Sequence, residues 1–79
     1  MTTLRSARLF SHDMMEKEIV LFANKIGFEI VTTTERENPL SVSGVKNCID
    51  RVSFVDKNKA IKSFDRRIKF NLSRGWEYK

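Results

Sequence analysis

Asp13-Met14-Met15-Glu16-Lys17-Glu18-Ile19-Val20-Leu21-Phe22-Ala23-Asn24-Lys25-Ile26-Gly27-Phe28 is the stretch on which the fold turns. Met15, Ile19, Phe22 and Ile26 recur at i, i+4, i+7 and i+11, which is one stripe of a helix. Asp13 and Glu16 have the spacing of a reciprocal N-terminal cap, with Ser11 as a competing cap. Gly27 stands where a left-handed residue ends a helix, and Phe28 where an apolar residue folds back on the last turn. Together these signals predict a helix over 13–26.

Upstream, residues 3–10 alternate without a clean apolar face and read as a short edge strand or an extended arm. Downstream, 28–34 alternates and is rich in β-branched residues, which predicts a strand. Glu35-Arg36-Glu37-Asn38-Pro39 reads as a polar break with a turn at Asn-Pro. Residues 40–55 read as one hairpin with arms at about 40–46 and 49–55. Lys46-Asn47-Cys48 is its expected tip, and Ser43-Gly44 is a bulge or an alternative turn.

Asp56 is placed to cap a second helix, Lys57 to about Arg74, with Ile61, Phe64, Ile68 and Leu72 as its buried stripe. Gly75 is its stop, and Trp76 stands where an apolar residue folds back on the last turn. The expected order is (β)-α-β-β-β-α. That is an α+β fold: a small antiparallel three-stranded sheet, with or without an N-terminal edge strand, and two helices on one face. Residues 1–79 are expected to form a single domain, with 1–10 as the edge strand or arm.

The chain has 79 residues, enough for one modest core. Cys48 is the one cysteine and His12 the one histidine, so neither an intrachain disulfide nor a structural zinc site is expected, and no cofactor is implied. A reducing, cytoplasmic setting fits. No apolar run approaches the ~18–20 residues of a membrane span, and the first residues lack the pattern of a signal peptide. No membrane partner is therefore expected.

The net charge of +5 is unevenly placed. Residues 1–56 hold seven Lys/Arg against eight Asp/Glu, a balance of −1. Residues 57–79 hold eight against two, a balance of +6. On a helical wheel, Lys59, Lys62, Arg66 and Lys69 fall within about 80° of one another, opposite the apolar stripe. Arg67 and Arg74 flank them, and Asp65 can pair with Lys69 at i, i+4. Lys62 and Arg66 are like charges at i, i+4, which an anionic partner would relieve; a merely solvated helix face is the alternative. Phe70 lies inside this basic face, either as a surface for stacking or contact or as a residue covered by Trp76. On the first predicted helix, Met14, Val20 and Leu21 lie off the stripe. They suit contact with the N-terminal arm, with a protein partner or with a second copy.

Catalysis has no constellation to rest on. One His and one Cys make no nucleophilic pair, Glu35 and Glu37 show no sign of being tuned, and no Gly-rich phosphate loop exists. Cys48 is either a reactive thiol at the hairpin tip or an inert, half-buried one.

The order α-β-β-β-α, with Asp56-Lys57-x-Lys59-Ala60 opening the last helix, resembles a double-stranded-RNA-binding domain, though Lys46-Asn47 does not match that family's groove-entering loop. Phe54-Val55-Asp56-x-x-x-Ala60-Ile61-x-x-Phe64 with Gly75-Trp76 is similar to the end of WGR-type nucleic-acid-binding domains, without the Trp-Gly-Arg signature. Both resemblances imply nucleic-acid binding, and neither assigns a role to an individual residue.

The sequence is thus read as a small, basic, non-enzymatic protein that binds nucleic acid or a nucleoprotein through the second helix. The rival reading is an accessory protein, of the phage or mobile-element type, that inhibits or adapts a host protein. It would use the basic face on an acidic protein surface, or Met14, Val20 and Leu21. A homodimer through the first helix or an exposed edge strand is a third reading.

Overall fold

Met15–Asn24 is a strand, not a helix. In a computed structural model that describes residues 2–12, 14–37 and 45–79, it is β2 of a five-stranded sheet. The others are β1 (Thr2–Phe10), β3 (Gly27–Glu37), β4 (Val45–Phe54) and β5 (Glu77–Tyr78), and one helix, α1 (Lys57–Ser73), lies between β4 and β5 in the chain. The spatial order is β4-β3-β2-β1-β5, with every neighbouring pair antiparallel. Among the described residues, the expected three-stranded sheet under two helices is therefore replaced by a larger sheet with a single helix. The α-β-β-β-α order behind the likeness to double-stranded-RNA-binding domains is absent.

The helical reading of β2 failed because the strand is apolar on both faces. Ile19 and Leu21 point to α1 and join Leu9, Ile30, Ala60, Phe64 and Ile68 in the core. Val20 alternates to the opposite face, yet it is only 9% exposed, set between Ser6 and Val31 of the adjacent strands. Burial on both sides gives an unbroken apolar run with no period of two. The helix signals at its ends belong to two hairpin turns.

At the first turn, Ser11 N–H donates to the Met15 carbonyl at 3.0 Å and Met14 N–H donates to the Ser11 carbonyl at 3.3 Å. Met14 then takes φ 62°, the left-handed conformation that this three-residue hairpin normally gives to glycine. Asp13, read as a cap, lies outside the described residues. Met14→Gly is expected to stabilise the fold by about 0.5–1 kcal/mol, the relief of left-handed strain less the added backbone entropy. Denaturant unfolding checks it; a destabilised variant would show that the Met14 side chain contributes more than its backbone costs.

At the second turn, Asn24 pairs with Gly27 across a two-residue loop, and Asn24 Oδ1 accepts from Ile26 N–H at 3.0 Å. Ile26 is 89% exposed there instead of completing a stripe.

β4 pairs along the whole of β3, from Phe28 opposite Phe54 to Glu37 opposite Val45. The hairpin expected within 40–55 is thus a β3–β4 pairing. Lys46, Asn47 and Cys48 sit in the strand opposite Arg36, Glu35 and Thr34, not at a tip. Glu35 to Glu37 continue β3 where a polar break was expected. Most of the predicted first arm, with Asn38-Pro39 and Ser43-Gly44, lies outside the described residues.

β1 is not an edge strand over its whole length. It lies between β2 and β5, with a register irregularity between Thr3 and Arg5. Arg5, Ala7 and Leu9 form its α1-facing side: Leu9 is core, Ala7 packs on the core, and Arg5 reaches the helix.

α1 follows its sequence closely. Asp56 caps it, accepting from Asn58 N–H at 2.8 Å and Lys59 N–H at 3.4 Å. At the far end Gly75 takes φ 94°, Gly75 N–H donates to the Leu72 carbonyl and Trp76 N–H to the Asn71 carbonyl. This is the two-bond arrangement that satisfies the last carbonyls of a helix. Trp76 then packs on the core and β5 follows. The buried line is Ala60, Phe64, Ile68 and Asn71, rotated from the expected one. Ile61 packs at the margin of the core and Leu72 is exposed. Among the described residues, no helix is long and apolar enough to cross a membrane.

Candidate nucleic-acid interface

The sheet under α1 decides which of the helix's charges are free. Asp65, expected to pair with Lys69, is instead bonded by Arg5 of β1 at 3.2 Å. On the other flank, Arg67 Nη1 bonds Asp50 of β4 at 3.3 Å. Arg67, expected at the rim of the basic face, is turned toward the sheet and neutralised. Asp65 and Arg67 clamp α1 across the sheet. As surface pairs they contribute at most about 1 kcal/mol each; their larger effect is to settle the charge pattern.

Lys59, Lys62, Arg66, Lys69 and Arg74 are exposed, and none of them takes part in an ion pair among the described residues. Lys59 to Lys69 spans about 15 Å of helix axis. The opposite face of the sheet differs: Arg8 pairs with Glu18 at 3.0 Å and Arg51 with Glu29 at 2.9 Å. Lys79 is bonded to Glu16. Arg5, Arg8, Arg51, Arg67 and Lys79 are thus matched by carboxylates, whereas the cations on the outer face of α1 have no such partner among the described residues.

Phe70 belongs to the outer face. It is 57% exposed, and the Arg74 guanidinium carbon lies 5.0 Å from its ring centroid, within cation–π range. Trp76 is engaged elsewhere: it packs on the core, and Lys17 Nζ lies 4.3 Å from its ring centroid. Lys17 also donates to Asn71 Oδ1 at 2.7 Å, while Asn71 Nδ2 donates to the Arg67 carbonyl at 2.7 Å. Burial of Lys17 lowers its pKa below the ordinary lysine value. Lys17, Asn71 and Trp76 thus form a polar lock between β2 and the end of α1. Of the two aromatics expected beside the arginines, Phe70 is at the surface and Trp76 in this lock.

Met14, Val20 and Leu21 do not share a surface. Leu21 is in the core, Val20 is buried on the opposite face, and Met14 is exposed at the first turn. Met14 lines an open concavity of about 620 Å³ with Phe10, Met15, Glu16, Glu35 and Lys79. A helix would leave all three off its buried stripe; strand alternation instead puts Leu21 in the core and Val20 on the opposite face. Cys48 lies within β4. His12 is exposed in the first turn. Among the described residues, no cluster of three His, Cys, Asp or Glu side chains could hold a metal ion.

The chain matches no protein-family model, no curated protein and no solved structure.

Proposed function

We propose that the protein is a non-enzymatic binder of nucleic acid, free or within a nucleoprotein, that uses the outer face of α1. One observation carries the reading: Lys59, Lys62, Arg66 and Lys69 form a row with no carboxylate partner among the described residues, while Asp65, the acid within the helix, is held by Arg5 of the sheet. Such a row attracts a polyanion and gains affinity from released counterions. Phosphate contacts of this kind position a backbone and carry no sequence choice.

Titration of labelled DNA and RNA across a range of salt tests the reading. With about four phosphates neutralised, log K should fall with log salt at a slope of roughly −3 to −4. Lys62→Gln and Arg66→Gln should each reduce that slope by about one, with equal effect on unrelated sequences. Absence of binding to DNA and RNA at low salt would overturn the nucleic-acid reading and leave an acidic protein surface, the partner of the accessory-protein reading, as the occupant of the same face.

A further inference from the structure

We infer that the polyanion held by α1 is single-stranded, with Phe70 as the platform on which one unpaired base stacks. The inference rests on the nucleic-acid reading above and narrows its ligand class.

Phe70 cannot reach the core. On the wheel it lies about 160° from Ile68, on the side of α1 that faces water. Nor does Trp76 offer it cover comparable to burial, because Trp76 is engaged by the core and by Lys17, and more than half of Phe70 stays exposed. The ring therefore stands in solvent one helical turn beyond Arg66, beside Lys69, with Arg74 against it.

A phenyl group has no donor or acceptor, so it reads no base edge. In a duplex the bases are stacked on one another and present only their edges in the grooves. A phenyl ring amid phosphate contacts then meets nothing it can bind, unless it wedges a step open. In a single strand every base has a free π face, and aromatic stacking beside a basic track is sequence-tolerant. Arg74 completes the arrangement: seated on Phe70, its guanidinium can meet the phosphate next to a stacked base without giving up the ring.

The test compares oligothymidylate and oligouridylate of about 12 nucleotides with a hairpin duplex of similar charge, at low salt, by fluorescence anisotropy. The single strands should bind at least about tenfold more tightly than the duplex. Phe70→Ala should weaken single-strand binding by roughly 5- to 150-fold and leave the weak duplex binding unchanged. Phe70→Trp should restore it. Because Phe70 is exposed, the melting temperature of Phe70→Ala should stay near that of the parent, so a loss of affinity cannot come from unfolding. Equal affinity for single strands and duplex, untouched by Phe70→Ala, would overturn the single-strand assignment while the nucleic-acid reading stands. Preference for the duplex would overturn it as well. Absence of binding to every probe would remove both.

Discussion

Gly27→Ala should lower the stability of the fold by about 3 kcal/mol, a combination of overpacking and positive-φ strain. For a chain of this size that lowers the melting temperature by about 12–24 °C. Gly27 opens β3 at φ 152°, and a Cβ there would run into the carbonyl oxygen of Phe54, with the Val55 Cα at 3.4 Å. Those obstacles are backbone atoms, so no rotamer change clears them. The ends of β3 and β4 must part, and Phe54-Val55-Asp56 is the link that carries the cap of α1. The substitution therefore reaches the helix as well as the sheet. Gly75→Ala is the control: Gly75 also has positive φ, at 94°, but nothing lies within 4 Å of its Cβ position. It should cost only backbone strain, about 1–2 kcal/mol. Chemical denaturation of the two variants separates close approach from conformation, and equal losses would refute the proposed contact at Gly27.

The same pair of glycines shows where the sequence is legible. Gly75 reads correctly because every element of its motif is local: the apolar stripe before it, the cap at Asp56 and the aromatic after it lie in one continuous segment. Gly27 has similar neighbours, an apolar run before and Phe28 after, and so reads as a second helix end. What distinguishes it is Phe54, brought beside it only by sheet pairing. β2 is obscured by the same long-range physics, since Val20 owes its burial on the second face to neighbouring strands. The first turn hides itself by placing Met14, not glycine, in the left-handed position. At the candidate interface, the wheel places Lys59, Lys62, Arg66 and Lys69 together because helix geometry alone settles that. It does not reveal the partners of Asp65 and Arg67, which are Arg5 and Asp50, 60 and 17 residues away. Those two ion pairs set which charges remain for a ligand, and no local pattern announces them.

Leu21→Ala tests the strand reading at its most consequential residue. Leu21 is 0% exposed, lies between Arg5 of β1 and Ile30 of β3, and packs in the cluster that includes Phe64 and Ile68 of α1. Truncation there removes buried carbons and leaves a cavity between sheet and helix, a loss of about 2–5 kcal/mol. That is a large part of the roughly 4–12 kcal/mol available to a chain of this length. Phe22→Ala acts on the opposite face, where the ring is only partly buried, and should cost clearly less despite the larger side chain removed. A helix over 13–26 reverses the order, because Phe22 would then lie on the buried stripe and Leu21 off it. Thermal and denaturant unfolding of both variants decide between the two registers. Oligonucleotide binding supplies the link to function. Leu21 lies beneath α1 and touches none of its outer cations, so Leu21→Ala, measured at a temperature where it remains folded, should keep the parent's affinity and salt slope. A changed slope in a folded Leu21→Ala would mean that the basic row is not a property of the outer helix face alone.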